Sequence, residues 1–433
     1  MNLKKSKWHQ SWIAIDIRAL TAMWKSVRHI EFFTHVTKVA IHRCWGFLRF
    51  LMTRRRIELL SDEVRMSNFV QRKDKSTPRL FNLDLHIGVV ADLEQAFKHI
   101  GISLTRWSIS GHNHLVEGRL PVSDPVRFIN QRSWRSLNLD AIEKFQDRYG
   151  KFLRKFDGFV CTYSPTFAEI FRDLGKPVLV VAANRYEEPY TDRPADWERF
   201  NKYLVDGVHQ HKIVLAANNV GDADYIKYFT GLTIPVVPSL CSKPDRDSNK
   251  KSPRVVMCHD QRLVELVETQ SGHAYNRIGI LGSPYEWSSL AQCQEVLIFP
   301  QNISTMTLFE LATAGVSVAV PSRRWIQELR RKGFGVLDQC TFYESYKLPC
   351  DELSTENPIN YQSSEYLDWW LDRADFYDTD LMPNIRIVDS MDELLANLNR
   401  NTSLDDLRIA TNIRNSRITS MRHDFITGFS DLL

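Results

Sequence analysis

The chain is predicted to be an α/β protein with two parallel sheets, each covered by helices on both faces, behind a basic helical arm. Three observations predict this. From Pro78 onward, short apolar runs alternate with longer stretches of helical period. The alternation is interrupted at residues 242–253, SKPDRDSNKKSP, a charged stretch flanked by proline that reads as a linker. Finally, 433 residues are enough for two domains with full cores, and a 43% hydrophobic, 25% charged composition is that of a globular chain. The expected organisation is an arm over 1–77, one Rossmann-like domain over 78–241, the linker, and a second over 254–433.

The arm carries most of the charge asymmetry. Residues 1–56 contain 12 Lys and Arg against Asp16 and Glu31, together with Trp8, Trp12, Trp24 and Trp45, so a net +4 chain hides an acidic body of about −6. No charge-free window is long enough to span a bilayer, and no apolar core precedes a small-residue cleavage site. Three readings fit the arm: a helix lying on an anionic membrane surface, an added helical layer packed on the body, or a nucleic-acid contact. The acidic body and the lack of a reader motif speak against nucleic acid. Seven scattered cysteines without a Cys-x-x-Cys pair point to a reducing, cytoplasmic setting and against structural zinc. The body is then soluble or peripheral on the inner membrane face.

In the first half, strands are predicted at Arg79 to Asp84, Leu104 to Ile109, Gly158 to Thr162, Val178 to Ala182, Ile213 to Ala217 and Ile234 to Val237. Helices are predicted between them, including one after Ser164-Pro165, where serine caps and proline takes the first helical position. Turn residues that follow the strands would lie at the ligand edge of such a sheet. Most are ordinary turn formers; histidine is less common there, so His86 and His112 stand out, with Asp84 beside the first.

In the second half, strands are expected at Arg254 to Met257, Arg277 to Leu281, Val296 to Phe299, Val316 to Val320, Gly333 to Leu337 and Ile385 to Val388. Residues 340–381 have little period and read as an insertion with one helix. A capping-box-like Ser390-Met391-Asp392-Glu393 opens a helix, and a long Arg-rich helix follows from about Ser403. The stretch 295–322, EVLIFPQNISTMTLFELATAGVSVAVPS, is a compact strand–turn–helix–strand unit with its polar turn at the carboxyl end of the first strand. Gly-x-Gly-x-x-Gly, Gly-x4-Gly-Lys-Ser/Thr and Gly-x-Ser-x-Gly are all missing, which argues against nicotinamide, flavin, P-loop and α/β-hydrolase chemistry.

That unit resembles the donor-binding segment of GT-B glycosyltransferases, and the tail from Ile385 is similar to theirs in its order of elements. The resemblance implies a nucleotide-sugar donor as co-substrate, no other cofactor and no metal site, with a glycan or lipid-linked acceptor bound by the first domain. It places Glu310 on the donor ribose. Asn302, Ser304 and Thr305 would supply the diphosphate turn, and Ser283 and Tyr285 the base slot; His259 is a further donor-side candidate. Asn302 stands where many retaining members have glutamate. An inverting member needs a general base in the acceptor domain, for which His86, Asp84 and His112 are the candidates in that order. Two other functions remain open: a non-catalytic glycan-binding or scaffold protein, and a sugar-nucleotide epimerase.

Overall fold

The computed structural model describes residues 77–85, 87–109, 128–130, 132–183, 186–241, 253–281, 287–338, 365–398 and 404–433. The arm, the linker, His86, His112, Ser283 and Tyr285 lie outside the described residues.

The first sheet contains β1 (Arg79–Asp84), β2 (Ser103–Ser108), β3 (Gly158–Cys161), β4 (Val178–Ala182) and β5 (Ile213–Ala217). All pairs are parallel, and the order across the sheet is β2-β1-β3-β4-β5. Alternation along the strands sorts side chains between two cores. Leu80, Val160, Leu179 and Val181 pack with Val89, Leu93 and Phe97 of α1 (Ile87–His99). Phe81 points the other way, into an aromatic layer with Trp107, Phe152 and Phe171. Phe152 belongs to α2 (Leu139–Leu153), whose start is capped by Asn138 accepting from the Ala141 N–H at 2.9 Å. The sheet is completed by α3 (Pro194–His209) and α4 (Val220–Thr230).

The second sheet has β6 (Arg254–Met257), β7 (Tyr275–Arg277), β8 (Val296–Ile298), β9 (Val318–Pro321) and β10 (Ile385–Val388), in the order β10-β9-β8-β6-β7. It is also wholly parallel. Counted along the chain, both sheets read second-first-third-fourth-fifth, so each reverses its winding direction next to its first strand. The helices here are α5 (Gln261–Gln270), α6 (Trp287–Ala291), α7 (Met306–Thr313), α8 (Arg323–Arg331), α9 (Glu365–Leu371), α10 (Met391–Ala396) and α11 (Leu404–Ser430). Two Rossmann-like parallel sheets agree with the GT-B-like class expected from residues 295–322. α11 leaves the second half and places Ile426 and Phe429 in the core shared by α1 and β1.

Several elements differ from expectation. Ile234 to Val237 forms one parallel bridge, Ala217 to Val236, instead of a sixth strand. Pro235 and Pro238 remove the backbone donors that a ladder needs. The stretch after Pro165 winds as a 3-10 helix, Pro165–Phe171. β7 ends at Arg277, whose N–H donates to the Glu268 carboxylate at 2.7 Å, and a 3-10 turn takes over. Residues 333–337 form no strand. They fold over the end of β8 instead, with Leu337 at φ 53° donating its N–H to the Pro300 carbonyl at 2.7 Å.

Candidate functional site at the meeting of two sheet edges

In a sheet of this winding the helices before and after the reversal go to opposite faces, leaving a crevice at the carboxyl ends of the two strands concerned. In the first sheet these strands are β1 and β3. Asp84 ends β1 and is only 2% exposed. Its carboxylate accepts from the Thr162 hydroxyl at 2.9 Å, the Tyr163 N–H at 3.1 Å and the Leu85 N–H at 2.6 Å, and so ties the two strand ends together. Beside it the Tyr163 hydroxyl donates to Glu188 at 2.8 Å. Glu188 is held in place through its carbonyl, which accepts from the Ser164 and Thr166 hydroxyls.

In the second sheet the strands are β6 and β8. His259 is exposed just past β6. Its neighbour Asp260 caps α5 and is gripped by Arg262, whose guanidinium holds that carboxyl well below the usual range. Past β8 comes the turn Gln301 to Thr305. Asn302 turns its side-chain oxygen onto the Ile303 N–H at 2.7 Å, which bends the chain towards α7. Thr305 is the N-cap of α7 but makes no side-chain capping bond, and the first turn carries no acid. That end of the helix therefore keeps its positive field.

The two edges meet. Met306 packs over Gly88 at the start of α1, a helix that also has no acid in its first turn. Ile303 lies so close to Gly221 at the start of α4 that a β-carbon there would sit 2.0 Å from the Ile303 methyl. Around this junction Arg373 pairs with Asp224 at 2.7 Å, Arg422 of α11 pairs with Asp92 of α1 at 2.7 Å, and the Thr313 hydroxyl donates to the Leu240 carbonyl. Helix starts from both halves thus lie around the turn 301–305; those of α1 and α7 have no acid in the first turn and suit an anionic group, whereas α4 is capped by Asn219 and carries Asp222.

Asn302, Ser304 and Thr305 lie on this one turn. Glu310 is the fifth residue of α7 and partly exposed, one helical turn behind the uncapped end. Its charge is felt by the Cys241 thiol, which burial pushes up, with Asp92 and Glu310 adding to the rise. Asp84 lies on the opposite half, and His259 is displaced from the turn by one strand.

Asp375 is a residue that sequence reasoning missed. It is buried beneath the turn, with its N–H on the Ile303 carbonyl at 3.1 Å and its carboxyl against the Ser304 hydroxyl. Burial pushes this carboxyl well above the usual range; the Ser304 hydroxyl opposes the rise, and Asp222 adds to it. The stretch 340–381 showed no period, so nothing marked Asp375 apart from its neighbours. Two Asp-x-Asp pairs, Asp222/Asp224 and Asp378/Asp380, have local roles. Asp222 accepts from Asn219 at the α4 cap, and Asp224 holds Arg373. Asp378 accepts from the Asp380 N–H, and Asp380 pairs with Arg417. Among the described residues no helix is long and apolar enough to cross a membrane.

No family model matches the chain, and no curated protein does. Solved structures do. The glycotransferase of kitacinnamycin is similar at 10% identity and a TM-score of 0.38, over 81% of this chain and 98% of that one. The spinosyn rhamnosyltransferase SpnG is similar at 12% identity and 0.38, over 81% of this chain and 100% of that one. SpnG complexed with thymidine diphosphate gives 11% and 0.37 over 81% and 100%.

Proposed function

We propose that the chain is a glycosyltransferase, moving a glycosyl group from a nucleotide sugar to a carbohydrate or lipid-linked acceptor. The observation that supports this reading is the contact of Met306 with Gly88, which brings the start of α7 against the start of α1, each beside the strand ends of its own sheet. A donor diphosphate fits the uncapped start of α7, where the N–H groups of the turn and the helix field favour negative charge. The ribose then reaches Glu310 along the same helix. His259 and residues 283–285 follow the two strands nearest to where the base would lie. The acceptor approaches from the first half. Its hydroxyl oxygen bonds to the anomeric carbon as the bond to the diphosphate oxygen breaks. His86, Asp84 or His112 takes the proton.

Asp84 already spends its oxygens on bracing β3, so it serves this scheme better by fixing the crevice than by exchanging protons. His86, two residues further on, takes the base role. The basic aromatic arm would hold the enzyme at the inner face of an anionic membrane, where lipid-linked acceptors reside.

The test is a panel of nucleotide sugars scored by thermal stabilisation, because a ligand of the folded state raises stability as RT ln(1 + [L]/Kd). One nucleotide class should stabilise the protein, and its sugar should be transferred or hydrolysed. No response to any member would overturn the reading. Stabilisation without turnover under any acceptor would favour a non-catalytic glycan-binding role.

A further inference from the structure

A cavity of about 640 Å³ opens at the opposite, amino-terminal edge of the first sheet, where β4 and β5 begin. It lies the length of a strand, roughly 15 Å, from the junction described above. It is lined by five Lys and Arg against Asp173 and Asp206, in a body whose overall balance beyond residue 56 is acidic. General basicity of the chain therefore does not account for it.

The charges differ in how they are engaged. Glu169 is fully buried and takes Arg199 at 3.1 Å, with Arg172 at 3.6 Å. Asp196 also holds Arg199, and Asp173 holds Arg172 at 3.4 Å. The fork of Arg199 is thus occupied, whereas Arg172 lies between Glu169 and Asp173 and its buried Nη1 makes no hydrogen bond. Lys176, Lys202 and Lys212 have no carboxylate within 4 Å among the described residues. All three are exposed residues lining the cavity, where Asp173 and Asp206 are the lining acids.

We propose that this cavity is a second binding site, for a small molecule carrying a phosphate or diphosphate group. A carboxylate ligand is read best by a free guanidinium fork, and here Arg199's is taken while Arg172's is held between Glu169 and Asp173. Separate ammonium groups are point charges, which suit the several oxygens and higher charge of a phosphate. The volume lies within the range of small-molecule pockets. The inference stands on this cavity and does not need the transferase reading.

Inorganic pyrophosphate is the probe, and acylation of lysines in the full chain, read peptide by peptide by mass spectrometry, is the measurement. Pyrophosphate should slow labelling of Lys176, Lys202 and Lys212 saturably while Lys144 and Lys332, paired with acids on exposed helix faces, label as before. Lys202→Glu, an exposed change, should weaken the protection of the other two about 10-fold. Parallel arms with a nucleoside diphosphate and a hexose phosphate tell which molecule brings the phosphate. Equal labelling with and without pyrophosphate would overturn the proposal. So would equal protection by malonate at matched ionic strength, or a Lys202→Glu protein that is protected like the wild type.

Discussion

Replacing Glu310 by glutamine keeps the side chain's size and removes its charge. A ribose hydrogen bond to a carboxylate is worth roughly 1.5–3 kcal/mol, so donor affinity should fall about 10- to 150-fold in calorimetric titration. Because Glu310 lies beyond the first turn of α7, its helix-dipole contribution is small, and stability should hardly move. Equal donor affinities in both proteins would take Glu310 out of the site. Asp375 makes a different prediction. Its folded form keeps a proton that the unfolded chain releases above about pH 3.9, so this group's contribution to stability falls as pH rises. The slope is at most about 1.4 kcal/mol per pH unit. Asp375→Asn removes it, so urea melts should show the variant gaining on the wild type as pH rises above about 4. A pH-independent difference would mean that Asp375 is ionised where it lies. The helix that carries Glu310 was legible because apolar residues recur around it at helical spacing. Asp375 was not, because a buried acid in an aperiodic stretch looks like a surface one until the chain folds over it.

The contact of Gly221 with Ile303 joins the first half to the turn at the proposed site. Gly221→Ala forces Ile303 aside and should cost about 1–3 kcal/mol by overpacking. Ile303→Ala opens the space, so the double variant should be less destabilised than the sum of the two singles. Additive costs in urea melts would mean that the halves do not touch there. Gly231→Ala is the control: nothing crowds it, and only its φ of 72° resists. At this scale the alternation of apolar runs predicted the buried central strands well, as with Val178 to Ala182. It failed where an apolar run serves packing without a ladder. Val237 and Val336 are both buried, yet Pro235 and Pro238 limit the first stretch to a single bridge and the fold-back at Leu337 takes the second out of the sheet. A run's composition does not distinguish these uses.

For the whole chain, the alternation of runs carried the two parallel sheets, but the meeting of their edges depends on contacts such as Gly88 with Met306 that leave no periodic trace. The arm belongs to this scale too. If residues 1–56 hold the protein on membrane, sedimentation with phosphatidylserine vesicles should show binding that weakens with salt and vanishes when the arm is deleted. Binding unaffected by salt or by that deletion would refute it. Ile426 and Phe429 of α11 carry one more implication. They fill the core of the first sheet, yet they leave the ribosome after every strand of both sheets. Residues 79–241 therefore lack part of the cover of this core until the rest has been translated, and a nascent chain halted before Leu404 should recruit holdase chaperones. Vectorial folding, first half then second, would leave the earliest-made sheet to be completed last.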